Sequence, residues 1–177
     1  IARKKKKENI AEYILYMWQI EDIIRGFNFD IERIKNELIP QYHETEERCK
    51  DICQWYSELI NMMTIEGVKE KGHIQIVQNA VIDLTDIHLR LLSDTNQIVY
   101  NSLFYKTLPY ILELKNKNSE GNEIEIALNA LYGLMMLRIQ KKEISEGTQK
   151  ALNQISTFIS TLSKLYQQEK LGIIELD

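Results

Sequence analysis

Apolar side chains recur at three- and four-residue intervals along almost the whole chain, the spacing of helices with a buried face. The densest case is Asn9 to Phe27, NIAEYILYMWQIEDIIRGF. There Ile10, Tyr13, Ile14, Met17, Ile20, Ile24 and Phe27 form one stripe, while Leu15, Tyr16, Trp18 and Ile23 fall outside it. A helix that is apolar on more than one side is surrounded by other helices or by another subunit. Glu21 lies on the side of Met17 and Ile24. It is expected to be partly buried there, within reach of Arg25 at four residues' spacing.

This pattern predicts helices throughout. The first runs from near Lys5 to Gly26, a glycine stop. Asn28 or Asp30 caps a short second helix, Ile31 to Ile39. Pro40 marks the start of a third, which runs to about Glu66 with Cys49, Ile52, Tyr56, Leu59 and Met63 as its seam. Gly67 and Gly72 bracket an irregular link. The fourth, His73 to Leu92, turns Val77, Ala80, Val81, Leu84, Ile87 and Leu91 inward. The fifth, Asn96 to Lys117, holds Pro109, and an interior proline predicts a kink or break. Residues 118–122 read as a loop. The sixth, Glu123 to Lys142, is apolar almost all round. Its small-residue row of Ala127, Ala130 and Gly133 would let a neighbouring backbone come close. Ser145 caps the last, which runs to about Lys170 on the seam Leu152, Ile155, Ile159, Leu162 and Tyr166.

No alternating strand pattern of useful length interrupts these helices. The expected fold is all-α: a single domain over residues 1–177, a bundle of six or seven mostly antiparallel helices without a sheet. A basic tip at 3–7 and a short tail at 172–177 flank it. With only 2 Pro and 7 Gly in 177 residues, long uninterrupted elements are favoured over many turns.

Charge narrows the partners. Arg3 to Lys7 are five consecutive basic residues, and removing them from the net charge of −4 leaves −9 on the rest. An acidic body disfavours broad electrostatic binding to nucleic acid or anionic membrane. The N-terminus has no apolar core followed by small cleavage-type residues, so no signal peptide is expected. The most apolar run, Ile126 to Leu137, falls short of the roughly 20 residues a membrane span needs. Cys49 and Cys53, four apart on a helix, suggest no disulfide framework and read as small core residues in a reducing compartment. A cytoplasmic protein is expected.

Candidate chemistry is sparse. The histidines are His43, His73 and His88. A di-metal carboxylate bundle needs two Glu-x-x-His pairs, and only Glu70–His73 has that spacing. Neither a metal nor a cofactor site is expected. Glu70-Lys71-Gly72-His73 has a glycine turn before a helix start, a weak anion-site pattern. The favoured alternative is that Gly72 makes the turn and His73 caps the helix. His88, in LTDIHLRLL, is expected to be half-buried with its ring bonded to a neighbouring helix, and Asp86 to pair with Arg90. Glu12, Gln19, Glu21, Asp22 and Arg25 decorate the first helix. They read as structural ion pairs or as a polar pocket lined by Tyr13, Tyr16 and Trp18. No phosphate loop, nucleophile elbow or cofactor fingerprint occurs.

The blocks KKKKENIAEYILYMWQIED (Lys4 to Asp22), EKGHIQI (Glu70 to Ile76), LTDIHLRLL (Leu84 to Leu92) and ALYGLMMLRIQKKEIS (Ala130 to Ser145) are similar to an uncharacterised bacterial family, a domain of unknown function. The resemblance covers nearly the full length. It implies an all-helical, single-domain cytoplasmic protein of bacteria and carries over no reaction and no catalytic residue. Glu12, Tyr16, Trp18, Gln19, His73 and His88 lie in these blocks and are the ligand-binding candidates. Three functions follow: a non-enzymatic helical bundle for self-association or protein-partner binding; a small-molecule or metal-binding bundle with an unidentified activity; and weak nucleic-acid contact through the basic N-terminus.

Overall fold

The computed structural model describes residues 1–117 and 120–176. Among them every regular element is helical, and there are eight α-helices rather than six or seven: α1 Ala2–Glu8, α2 Ile10–Gly26, α3 Ile31–Arg33, α4 Glu46–Ile65, α5 Gln75–Ser93, α6 Ile98–Asn116, α7 Glu123–Ile139 and α8 Glu146–Lys170. No helix is long and apolar enough to cross a membrane. The loop expected over 118–122 lies partly outside the described residues, at 118 and 119. So does the last residue of the expected 172–177 tail.

The extra helix comes from Asn9. Its backbone is extended (φ −156°, ψ 104°), which separates α1 from α2. Asparagine is a strong N-cap because its side chain competes for backbone donors. Here Oδ1 accepts from the Glu12 N–H at 3.1 Å and from the Ser163 hydroxyl at 2.7 Å.

The second expected helix is also shorter than its periodicity implied. Asp30 caps it, accepting from the Glu32 and Arg33 N–H groups. After Arg33 the coil widens to a π turn over Ile34–Leu38, then tightens to a 3₁₀ turn over Ile39–Tyr42. Pro40 opens that 3₁₀ turn rather than α4, and His43, in the left-handed region at φ 51°, ends it. Thr45 caps α4 through the Arg48 N–H.

The chain divides into two units, with the divisions falling inside α2 and α5. One comprises residues 1–15 and 80–177, the other residues 16–79. In the first, α6, α7 and α8 pack on one another. The core of α8 is its predicted seam, with Phe158 added; Tyr166 is only half-buried. Buried Tyr100, Phe104, Thr107 and Ile111 form the inner face of α6. Pro109 does not break α6, which is continuous through it, because its ring lies on the exposed side where one missing backbone bond is best tolerated. Asn122 and Glu125 start α7 with a reciprocal capping box. Ser145 caps α8 as expected. Arg90 bonds Glu169 at 2.9 Å and the Leu176 carbonyl at 2.6 Å, not Asp86.

In the second unit, α2 from Tyr16 onward, α3 and α4 enclose Ile34, Tyr56, Leu59 and Met63 among the buried residues. The link between α4 and the start of α5 is held by Arg25, which donates to the carbonyls of Val68 (3.1 Å), Lys69 (3.2 Å) and Gly72.

The small-residue row on α7 does not serve a close backbone approach at Gly133. A Cβ built there meets nothing within 4 Å. Gly133→Ala should therefore raise stability by about 0.5–1 kcal/mol, the helix-interior difference between the two residues. Denaturant unfolding checks this, and a loss of stability would reveal a neighbour that the space around Gly133 does not show.

Candidate functional site

The most chemically distinctive place in the molecule is built on α2. Trp18, Glu21 and Arg25 follow one another at three- and four-residue intervals, so they share a face. Glu21 is fully buried and its two oxygens are divided. Oε2 shares a 2.5 Å hydrogen bond with His73 Nδ1, and Oε1 accepts from the backbone N–H of Ile74 at 2.9 Å. The Trp18 indole stacks on the His73 ring, with centroids 4.6 Å apart and planes inclined by 13°. A carboxylate is rarely tolerated in an apolar stripe unless its lone pairs are satisfied, and here charge-assisted bonds meet that need.

His73 lies just before α5 but does not cap it. Gly72, at φ +86°, makes the turn as expected. The first donors of α5 are taken by carboxylates instead: the Ile74 N–H by Glu21 and the Gln75 N–H by Glu66 at 2.6 Å. Two carboxylates on those donors leave little for an external anion, so the weak anion-site pattern of this turn is not realised. The His73 ring is half-buried, with Nδ1 engaged and Nε2 in no hydrogen bond among the described residues.

Tyr16 belongs to a separate aromatic group in the same unit. It stacks with Trp55 at 6.4 Å, and the Tyr42 and Tyr56 hydroxyls share a hydrogen bond of 2.8 Å. Burial pushes the Tyr16 hydroxyl up to about 12, with Tyr42 adding to the shift. It pushes Tyr56 higher still, and the bond to Tyr42 reinforces it.

His88 belongs to the other unit and is 2% exposed. Its Nδ1 shares a 2.6 Å hydrogen bond with the Tyr100 hydroxyl of α6. Phe104 and Phe158 pack edge-on against it at 4.8 and 5.7 Å. Burial depresses its pKa to about 4, with Glu123 acting weakly in the opposite direction. It is a neutral core imidazole.

Of the six sequence candidates, the structure brings Trp18 and His73 into contact. It sets Tyr16 with Trp55 and His88 with Tyr100. Glu12 is exposed and pairs with Lys5 at 3.0 Å. Gln19 is half-buried and joins none of these contacts. Glu21 was legible only as a charge inside the apolar stripe. That is a signal that it needs a partner; the spacing offered Arg25 to Asp22 and to Glu21 alike, and Arg25 pairs with Asp22 at 2.8 Å. An open groove of about 520 Å³ beside the start of α8, bounded by Ile144, Lys150, Gln154 and Thr157 among others, contains none of the six. No cluster of three or more metal-ligating side chains occurs among the described residues.

The outer face of α6 presents Ile98, Val99, Tyr105 and Leu112, between 44 and 83% exposed. Ile98, Tyr105 and Leu112 are seven residues apart, so they align along one side of the helix. The basic run at the N-terminus, by contrast, has partners within the chain. Lys4 approaches Glu8 at 3.8 Å, Lys5 pairs with Glu12, and Lys6 lies 5.2 Å over the Tyr13 ring.

No curated protein and no solved structure matches the chain. A family model does, over residues 1–172. The chain belongs to the family described as Domain of unknown function (DUF4924).

Proposed function

We propose that the protein is a non-enzymatic helical bundle that associates with a second copy of itself, and that the outer face of α6 is the contact surface. The observation that carries this reading is the exposed seven-residue series Ile98, Tyr105 and Leu112, on the side of α6 away from its buried face. Exposed apolar side chains that join into a contiguous patch mark interaction surfaces, and these three share one side of the helix. The series is symmetric about Tyr105. Two antiparallel copies of α6 would set Ile98 against Leu112 in both directions and Tyr105 against Tyr105, the self-complementary arrangement of a two-fold interface. The reading agrees with the cytoplasmic placement expected from the sequence.

Sedimentation velocity over a range of concentrations tests it. The wild-type chain should sediment as a dimer at micromolar concentration. Tyr105→Glu should convert it to a monomer with unchanged helix content, because Tyr105 is mostly exposed in the single chain, its ring contact with Phe104 aside. A wild-type chain that stays monomeric at high concentration would sink the proposal. A Tyr105→Glu dimer would move the interface away from α6.

A further inference from the structure

The geometry points to His73 as a proton-accepting centre whose working atom is Nε2. Glu21 sets its tautomer, and the ligands it takes are uncharged or cationic hydrogen-bond donors rather than phosphates or carboxylates. The argument begins at Glu21. Taken as a carboxylate, Glu21 only accepts hydrogen bonds, and the 2.5 Å contact then places a hydrogen on Nδ1. A neutral imidazole has one ring hydrogen, and its lone pair is then on Nε2. The second oxygen of Glu21 is fixed by the Ile74 N–H, so the carboxylate cannot rotate away without breaking that bond. Trp18 lies nearly parallel to the ring and fixes its plane. Nε2 has no partner among the described residues, and about a third of the side chain is open, 32% by accessible surface.

This is the carboxylate–imidazole half of a general-base arrangement: an orienting acid held in place, a defined tautomer and an open lone pair. The ligand class follows from the surroundings. Glu21 and Glu66 occupy the Ile74 and Gln75 donors, so an anion would find two carboxylates where it needs N–H groups. A hydroxyl, amide or ammonium donor faces no such penalty and can donate to Nε2. His73 is remote from α6 in function as well as in sequence: the base needs no second copy of the chain.

Two readings test the assignment. In the first, long-range proton–nitrogen correlation spectra of chain carrying ¹⁵N-histidine are recorded at a pH where the rings are neutral. Wild-type His73 should be the Nδ1–H tautomer. In Glu21→Gln the amide oxygen must keep accepting from the Ile74 N–H, which leaves the NH₂ group facing Nδ1. Nδ1 must then accept, and the ring hydrogen moves to Nε2. The second reading uses diethyl pyrocarbonate as the probe. The Nε2 lone pair forms a bond to a carbonyl carbon, the bond to the bridging oxygen breaks, ethyl carbonate departs and the Nδ1 proton is lost. Peptide mass spectrometry compares His73 with exposed His43 in the same sample. His73 should react at least as fast as His43 despite its partial burial, and Glu21→Gln should slow it about tenfold or more, since a misplaced ring hydrogen removes the reacting lone pair. A wild-type Nε2–H tautomer would overturn the assignment. So would slower modification of His73 than of His43, or a Glu21→Gln chain with tautomer and rate unchanged. The wild-type tautomer and the His73-to-His43 ratio need no variant, so they decide the matter even where Glu21→Gln does not fold.

Discussion

Phe158→Ala is expected to destabilise the chain by about 3–5 kcal/mol, the range for removing a buried phenyl ring from a packed core. Phe158 is fully buried in α8. Its ring lies 5.6 Å from Phe104, 5.7 Å from His88 and 5.9 Å from Tyr100. It therefore joins α5, α6 and α8 at one point, and its removal opens a cavity lined by three aromatic rings that cannot easily collapse. Each aromatic pair adds about 0.5–1.5 kcal/mol beyond the area it buries. Phe158→Leu keeps most of the volume and should cost much less. Urea unfolding of both variants checks this: a Phe158→Ala midpoint close to wild type would mean that the cluster does not carry the packing assigned to it.

The second large effect is acid sensitivity through His88. In the folded chain its pKa is depressed to about 4, first by burial and against a small opposing influence of Glu123. In the unfolded chain a histidine titrates near its usual value of about 6.5. Between these values the unfolded state binds a proton that the folded state does not, so acid favours unfolding. The stability due to a neutral His88 is complete above about pH 6.5 and is lost as the pH falls toward 4. Each unit of difference corresponds to about 1.4 kcal/mol, so the full loss is about 3 kcal/mol at pH 4. His88→Gln removes the titration while leaving a polar group near the Tyr100 hydroxyl. Unfolding free energies at pH 7.5 and pH 4.5 should differ less in that variant than in the wild type. An equal acid loss in both would assign the effect to other groups.

Much of the helix pattern was legible because periodicity is a local property. Val77, Ala80, Val81, Leu84, Ile87 and Leu91 all face inward as their spacing implied. Helix termini with polar caps, at Asp30 and Ser145, could be read for the same reason. The departures occur where a side chain competes with the backbone or where a partner lies far along the chain. Asn9 divides the expected first helix just before its apolar stripe begins, because its side chain caps α2 rather than continuing α1. The π and 3₁₀ turns after Arg33 change the winding without changing the residue pattern that would reveal it. The pairing of Glu21 with His73 spans 52 residues, beyond the reach of spacing rules, which could offer Glu21 only the Arg25 that Asp22 takes. His88 could be read as a half-buried ring bonded to a neighbour. Its complete burial depends on Phe104 and Phe158, which only the packing of α6 and α8 brings to it.

The stack of Trp18 on His73 also gives the chain a built-in optical sensor. Indole emission is quenched when an adjacent imidazole becomes more electron-demanding, and the two rings are parallel and in contact. Trp18 and Trp55 are the chain's two tryptophans, so Trp55→Phe leaves a single fluorophore against the histidine. A proton, a hydrogen-bonding ligand or an electrophile arriving at Nε2 would then dim or shift that emission directly. Compound collections could be screened against this histidine by fluorescence, with no reaction known in advance.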